Sequence, residues 1–278
     1  MKGIWAAFVA LELATTGCTT NPRPVAPAIL PAVERSSAVI LHGKSLELHL
    51  SAPQGGQTAN ALVLYASGDG GWFGAAVDMF HRIGGAGYYT VGFSAKAFLK
   101  IDRQPDTPMN PEQLAAEYEQ ILDTARRELR LQSGTAVVLT GWSRGAAFAV
   151  LAASAHGAPR GVRGVLAIGL SEGEDLAIDG PADESDEGTA AETRNHWPFE
   201  PYALMALLPF RCAVIQATRD NYLAAARART LFGSDTEKRR LYAIDARNHR
   251  FSGGKDAFDR ALLDALEWIS SGVRPPES

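Results

Sequence analysis

Residues 137–147 read VVLTGWSRGAA and hold Ser143 between Gly141 and Gly145. A serine set between glycines, where a buried strand hands over to a helix, can be raised on a tight turn to attack a carbonyl carbon. Its hydroxyl is a poor nucleophile at neutral pH and needs a base. His249, in ARNHRFSGG between a late strand and the last helix, stands where such a base belongs. His42 and His49 fall on an early hairpin, His81 and His156 on helices or helix ends, and His196 in a loop, so each reads as structural or solvated. The base needs a carboxylate to fix its tautomer and stabilise its charged form. Asp220, in TRDN after the apolar run CAVIQAT, gives the chain order Ser, Asp, His; capping a helix from Tyr222 is its alternative role. Asp245, four residues before His249, is the rival acid, with little loop to turn its carboxylate onto the imidazole.

Acyl transfer also requires donors for a developing oxyanion. The backbone amides of Arg144 and of Asp69, the latter in SGDGGW, are the candidates, and the glycines around Asp69 let the backbone approach a substrate closely. Gly70, Trp72 and the Arg144 side chain are therefore expected at the substrate. Read as a phosphate loop, SGDGG lacks the GK[ST] ending that such a loop needs.

The elements that must position these residues follow from apolar patterning. AVILHGKSLELHLSAP alternates around a turn at His42 to Lys44 and predicts an antiparallel hairpin. ALVLYA, YYTVGF, AVVLTG, GVLAIGL, CAVIQAT and RRLYAID are runs of strand length. Between them, helices are expected near Ala75 to Ile83, from Asn110 through Leu129, over RGAAFAVLAASA and YLAAARARTLF, and at the end over KDAFDRALLDALEWI. Asn110 is a good N-cap and Pro111 a good first helical residue. A hairpin followed by repeated strand and helix units predicts an α/β domain, a mostly parallel central sheet with helices on both faces. Chemistry in such a sheet gathers beyond the carboxyl ends of the strands.

The 278 residues are 46% hydrophobic and 21% charged, enough for one sizeable core, placed here at 37–272. A formal net charge of -4 argues against a nucleic-acid binder. HExxH, CxxC and any close His/Asp grouping of metal-site spacing are missing from the sequence, so neither a metal nor another cofactor is expected. Cys212 opens an apolar run and reads as a buried thiol, in surroundings too unlike those of Cys18 for a structural disulfide. Residues 1–18, MKGIWAAFVALELATTGC, have a basic start, an apolar stretch and small residues at the end, the order of a secretory leader. They are too short and interrupted for a membrane-spanning helix. Residues 19–36 are a polar, proline-rich tether.

YASGDGGW at 65–72 and GWSRG at 141–145, with TPMNPEQLAAEYEQIL and NHRFSGG, resemble the α/β-hydrolase superfamily and, within it, the VirJ/AcvB family of bacterial virulence proteins. The similarity spans roughly residues 60–270, and SGDGGW is its more specific part. The resemblance implies an α/β-hydrolase fold with Ser143, Asp220 and His249 as a triad. It further implies an exported esterase at the periplasmic membrane face that acts on aminoacyl-phosphatidylglycerol. The Gly-Cys ending of the leader resembles a bacterial lipoprotein signal, which implies lipidation at Cys18 and anchoring to the membrane surface. A general envelope carboxylesterase or lipase acting on a small ester is an alternative with the same triad. A second is a hydrolase-fold accessory that binds components of a type IV secretion system without chemistry. The chain departs from the family pattern at Arg144, where an apolar residue is common, and in the long loop 171–201. That loop is acidic and lid-like; its carboxylates could attract a cationic headgroup or simply be solvated, and Arg144 could pair with a lipid phosphate or point to water.

Overall fold

A computed structural model describes residues 32–54, 61–101, 109–175 and 198–272. The leader, Cys18, most of the tether and loop residues 176–197 lie outside the described residues. Strands β1 (Ala32–Leu41) and β2 (Lys44–Pro53) form the expected hairpin, turned at His42 and Gly43, both at positive φ. The hairpin starts at Ala32, inside the stretch that the composition reads as tether.

Then follow β3 (Ala61–Ala66), α1 (Ala75–Gly85), β4 (Tyr89–Phe93), α2 (Ala95–Leu99), α3 (Pro111–Leu129), β5 (Ala136–Trp142), α4 (Arg144–Ser154) and β6 (Val162–Ile168). A two-residue pair, β7 (Glu174–Asp175) and β8 (Pro198–Phe199), closes the base of the long loop. The chain continues through α5 (Pro201–Leu207), β9 (Arg211–Ala217), α6 (Ala225–Phe232), β10 (Arg239–Ile244) and α7 (Lys255–Ser270). The main sheet has the order β1-β2-β4-β3-β5-β6-β9-β10. Its pairs from β4 to β10 are parallel, and β1 and β2 join antiparallel.

The central strands β3, β5, β6 and β9 are largely apolar because both faces of the sheet are covered there. In β3, Leu62, Leu64 and Ala66 enter the core beneath α3 and α4, while Ala61, Val63 and Tyr65 enter the core beneath α1 and α7. β9 divides in the same way, with Cys212 and Val214 on one face and Ala213, Ile215 and Ala217 on the other. Burial pushes the Cys212 thiol up to about 12, so it stays protonated and packs as a small hydrophobe. Asn110 caps α3 as expected, its side chain accepting from the amides of Glu112 (2.9 Å) and Gln113 (3.1 Å). Two helices go beyond the sequence reading. α2 is capped by Ser94 Oγ, which accepts from Ala97 N at 3.2 Å, and α5 starts at Pro201. Among the described residues no helix is long and apolar enough to cross a membrane.

Candidate active site

Asp69, Ser143, Glu174, Asp220 and His249 lie beyond the carboxyl ends of β3, β5, β6, β9 and β10, on the same side of the sheet. Ser143 sits between β5 and α4 at φ 58° and ψ -124°. For a residue with a side chain this backbone costs on the order of 1–3 kcal/mol and persists only where the surroundings enforce it. Here Ser143 N donates to Ile168 O (2.9 Å) and Ser143 O accepts from Ala146 N (2.8 Å). The flanking glycines provide close approach rather than positive φ. A Cβ on Gly141 would lie 2.0 Å from the carbonyl of Gly145, and one on Gly145 would lie 2.1 Å from Ala66 O at the end of β3. Strand, turn and helix can meet this tightly only without those side chains.

His249 is held in a loop braced by its own hydrogen bonds. Arg247 N donates to Ser252 O (2.9 Å), and Asn248 Oδ1 accepts from the amides of Arg250 (3.1 Å) and Ser252 (3.2 Å). Trp142 stacks on the imidazole at 5.3 Å, Tyr222 meets it edge-on at 4.8 Å, and Trp142 Nε1 donates to the His249 carbonyl. Asp220, its side chain wholly buried, accepts from His249 Nδ1 at 2.7 Å. The carboxylate also accepts from Tyr222 N (2.9 Å) and Gln216 Nε2 (3.2 Å), so its direction is fixed from three sides. With Nδ1 bonded to a carboxylate, the proton belongs on Nδ1 and Nε2 is left as the acceptor. Nε2 is buried and has no hydrogen-bond partner among the described residues, Ser143 included. His249 and Ser143 line one cleft of about 760 Å³.

The Arg144 amide is the first of α4 and so one of the helix's orphan donors, at the positive end of its dipole. Asp69 stands at the tip of a turn closed by Gly71 N donating to Gly68 O (3.1 Å). Neither amide donates within the described backbone contacts. A Cβ on Gly68 would lie 3.3 Å from the Ser143 Cβ, so this turn rests directly against the serine.

Residues 60–184 match the family model described as bacterial virulence protein (VirJ). The chain is VirJ-like, on an α/β-hydrolase fold. The matched stretch contains Asp69, Ser143 and Arg144 and ends before Asp220 and His249. Dienelactone hydrolase from Anabaena variabilis superposes with a TM-score of 0.56 at 19% identity, over 87% of this chain and 99% of that one. The esterase domain of a Rhodothermus marinus protein gives 0.55 at 16% identity, over 85% and 98%. Est1E from Butyrivibrio proteoclasticus gives 0.56 at 14% identity, over 85% and 99%. At such identities the likeness carries the fold alone. No curated protein matches the chain significantly in sequence.

Some residues expected at the cleft are elsewhere. Trp72 does not line the cleft. It turns away to stack on His49 of β2 (4.1 Å, 3° between planes) and against Phe80, and a Cβ on Gly92 would collide with its ring at 2.3 Å. The next residue, Phe73, lines the cleft instead and is largely exposed. Asp245 is 83% exposed and pairs with Arg219 at 3.0 Å, away from the imidazole. Asp220 does not cap a helix from Tyr222, because α6 begins only at Ala225. Gly70 lines the cleft. Arg144 is not among the lining residues: its guanidinium is turned to Asp69, 2.7 Å from Nε, and to Glu174 at 3.8 Å. The Asp69 oxygen lies off the N–H axis, so this is an ion pair without a directed hydrogen bond.

The sequence reading missed Gln216 and Glu174. Gln216 had a visible signal, a polar residue inside the apolar run CAVIQAT. It is wholly buried and braces Asp220 while also donating to Leu223 O (2.6 Å). Glu174 lines the cleft, and its burial pushes the carboxyl above the usual carboxylate range against the opposing pull of Ser171 and Arg144. Nothing local singled it out among the many acids of its loop.

Proposed function

We propose that this VirJ-like chain is an exported serine hydrolase that cleaves a carboxylic ester through an acyl-enzyme on Ser143. The observation that carries the reading is the buried Asp220–His249 pair, whose unpartnered Nε2 belongs to the same cleft as a serine on a strained strand-to-helix turn. On this reading Nε2 takes the hydroxyl proton as Ser143 Oγ attacks the ester carbonyl. Asp220 stabilises the imidazolium, and the amides of Asp69 and Arg144 receive the oxyanion. Nε2 then protonates the departing alcohol oxygen, and a water activated by the same nitrogen releases the acid.

Aminoacyl-phosphatidylglycerol is the proposed substrate. The cleft offers the Glu174 carboxylate to an ammonium group, and the exposed Phe73 and Tyr222 rings to apolar parts of a lipid. Cys18, as the lipidated first residue of the mature protein, would hold the enzyme at the periplasmic membrane surface where that lipid lies. Purified protein incubated with vesicles of aminoacyl-phosphatidylglycerol should release the free amino acid. Intact lipid together with cleavage of short acyl esters would replace this substrate with a simple ester. Mass spectrometry of the cell-derived protein should find a lipid-modified Cys18 at the N-terminus, and an intact Met1 would remove export from the proposal.

A further inference from the structure

The two residues proposed to donate their amides to the oxyanion are also joined through their side chains. Asp69 carries the one long side chain between Ser67 and Trp72; its neighbours are Gly68, Gly70 and Gly71. Such a loop has little of its own to hold its position, because glycine loses more conformational freedom on ordering than any other residue. Arg144 is equally unexpected at its place. A cation in the first turn of a helix is opposed by the helix dipole, so the helix gains nothing from it. Its guanidinium is nonetheless mostly buried, at 22% side-chain exposure, and is met by Asp69 at 2.7 Å and Glu174 at 3.8 Å. It thus ties together the loop after β3, the start of α4 and the base of the long loop at β7.

We infer that the Asp69–Arg144 ion pair is the strut of the oxyanion hole: it fixes the spacing of the two amides that flank Ser143. The inference rests on the hydrolase reading for its catalytic consequence, but not for its structural one. The side chains act here as positioning groups, since they reach the reacting atoms only through their own backbone. Loosening a donor should cost about tenfold in rate, less than the roughly 10²-fold or more that removing one costs. The half-exposed carboxylate keeps the effect moderate. The geometry also predicts a particular kinetic split: kcat falls and KM stays, because the hole is engaged in the transition state rather than in the ground state.

The test uses Asp69→Asn, Arg144→Gln, the double variant and the reversed pair Asp69→Arg with Arg144→Asp. Two quantities are read for each: the rate at which a fluorophosphonate labels Ser143, and amide hydrogen exchange across Gly68–Trp72. The single variants should label about tenfold more slowly and exchange faster in that loop, with the double variant no worse than either single. The reversed pair should recover part of both. Unchanged loop exchange in both single variants would overturn the strut, whatever the labelling shows. Single losses that simply add in the double variant would also overturn it. If wild type is not labelled at Ser143, the hydrolase reading falls, and loop exchange alone then decides the strut.

Discussion

Replacing Asp220 by asparagine keeps shape and removes the acceptor that the imidazole needs. The carboxylate now takes three hydrogen bonds, from His249 Nδ1 at 2.7 Å, Tyr222 N at 2.9 Å and Gln216 Nε2 at 3.2 Å. An asparagine whose oxygen stays on the Tyr222 amide turns its NH2 toward two further donors. His249 can relieve that conflict only by moving its proton from Nδ1 to Nε2, and the base facing the cleft is then lost. The expected fall in kcat is about 10⁴-fold, as for the equivalent change in other Ser-His-Asp enzymes. That corresponds to roughly 5.4 kcal/mol of transition-state stabilisation. The opposite amide orientation preserves the tautomer but sets NH2 against the Tyr222 N–H, at a stability cost of about 1–3 kcal/mol. Steady-state kinetics on a chromogenic ester together with thermal melts therefore separates the outcomes. A kcat within about tenfold of wild type and an unchanged melting temperature would refute the proposed role of Asp220.

Other consequences follow from the same geometry. Gly145→Ala places a methyl 2.1 Å from Ala66 O, against backbone that cannot yield. Overpacking of this kind costs about 1–3 kcal/mol, so melting should occur roughly 2–12 °C lower. Asp245→Asn, at an exposed carboxylate paired with Arg219, should leave kcat within about twofold of wild type, and a large loss would restore it as the acid. Glu174 has its folded-state carboxyl pushed up by burial. Its stability contribution is therefore fully present below the unfolded carboxylate range and is lost as pH rises through the raised folded value. Glu174→Gln should accordingly melt higher than wild type at pH 7–8, with the advantage vanishing toward pH 4. An unchanged or lower melting temperature at neutral pH would show that the pairing with Arg144 outweighs burial.

What the sequence revealed, and what it concealed, divides by range. The strands were visible because a sheet covered on both faces needs unbroken apolar runs, and ALVLYA and CAVIQAT supply them. The Ser143 turn was visible because strand, glycines and helix are consecutive in the chain. Asp220 could be preferred to Asp245 only on loop length, and the reason for the preference lies in the imidazole of His249, 29 residues on, together with Gln216 and Tyr222 beside it. Trp72 was misplaced because its side-chain direction depends on His49 and Gly92 in strands that its motif does not contain. Arg144 raised a question that only the folded chain could answer: its partners are 75 residues before it, at Asp69, and 30 after it, at Glu174. The short helices α2 and α5 carried local signals, the Ser94 cap and Pro201 at the first turn, but too few apolar repeats to stand out.

Catalysis in this cleft requires Ser143 to be a nucleophile. Wild-type protein and Ser143→Ala should be treated with a fluorophosphonate, weighed intact and mapped by peptide mass. One adduct per wild-type chain, located on Ser143, and none on Ser143→Ala is the predicted result. No adduct on wild type, or the same adduct on both proteins, would contradict it.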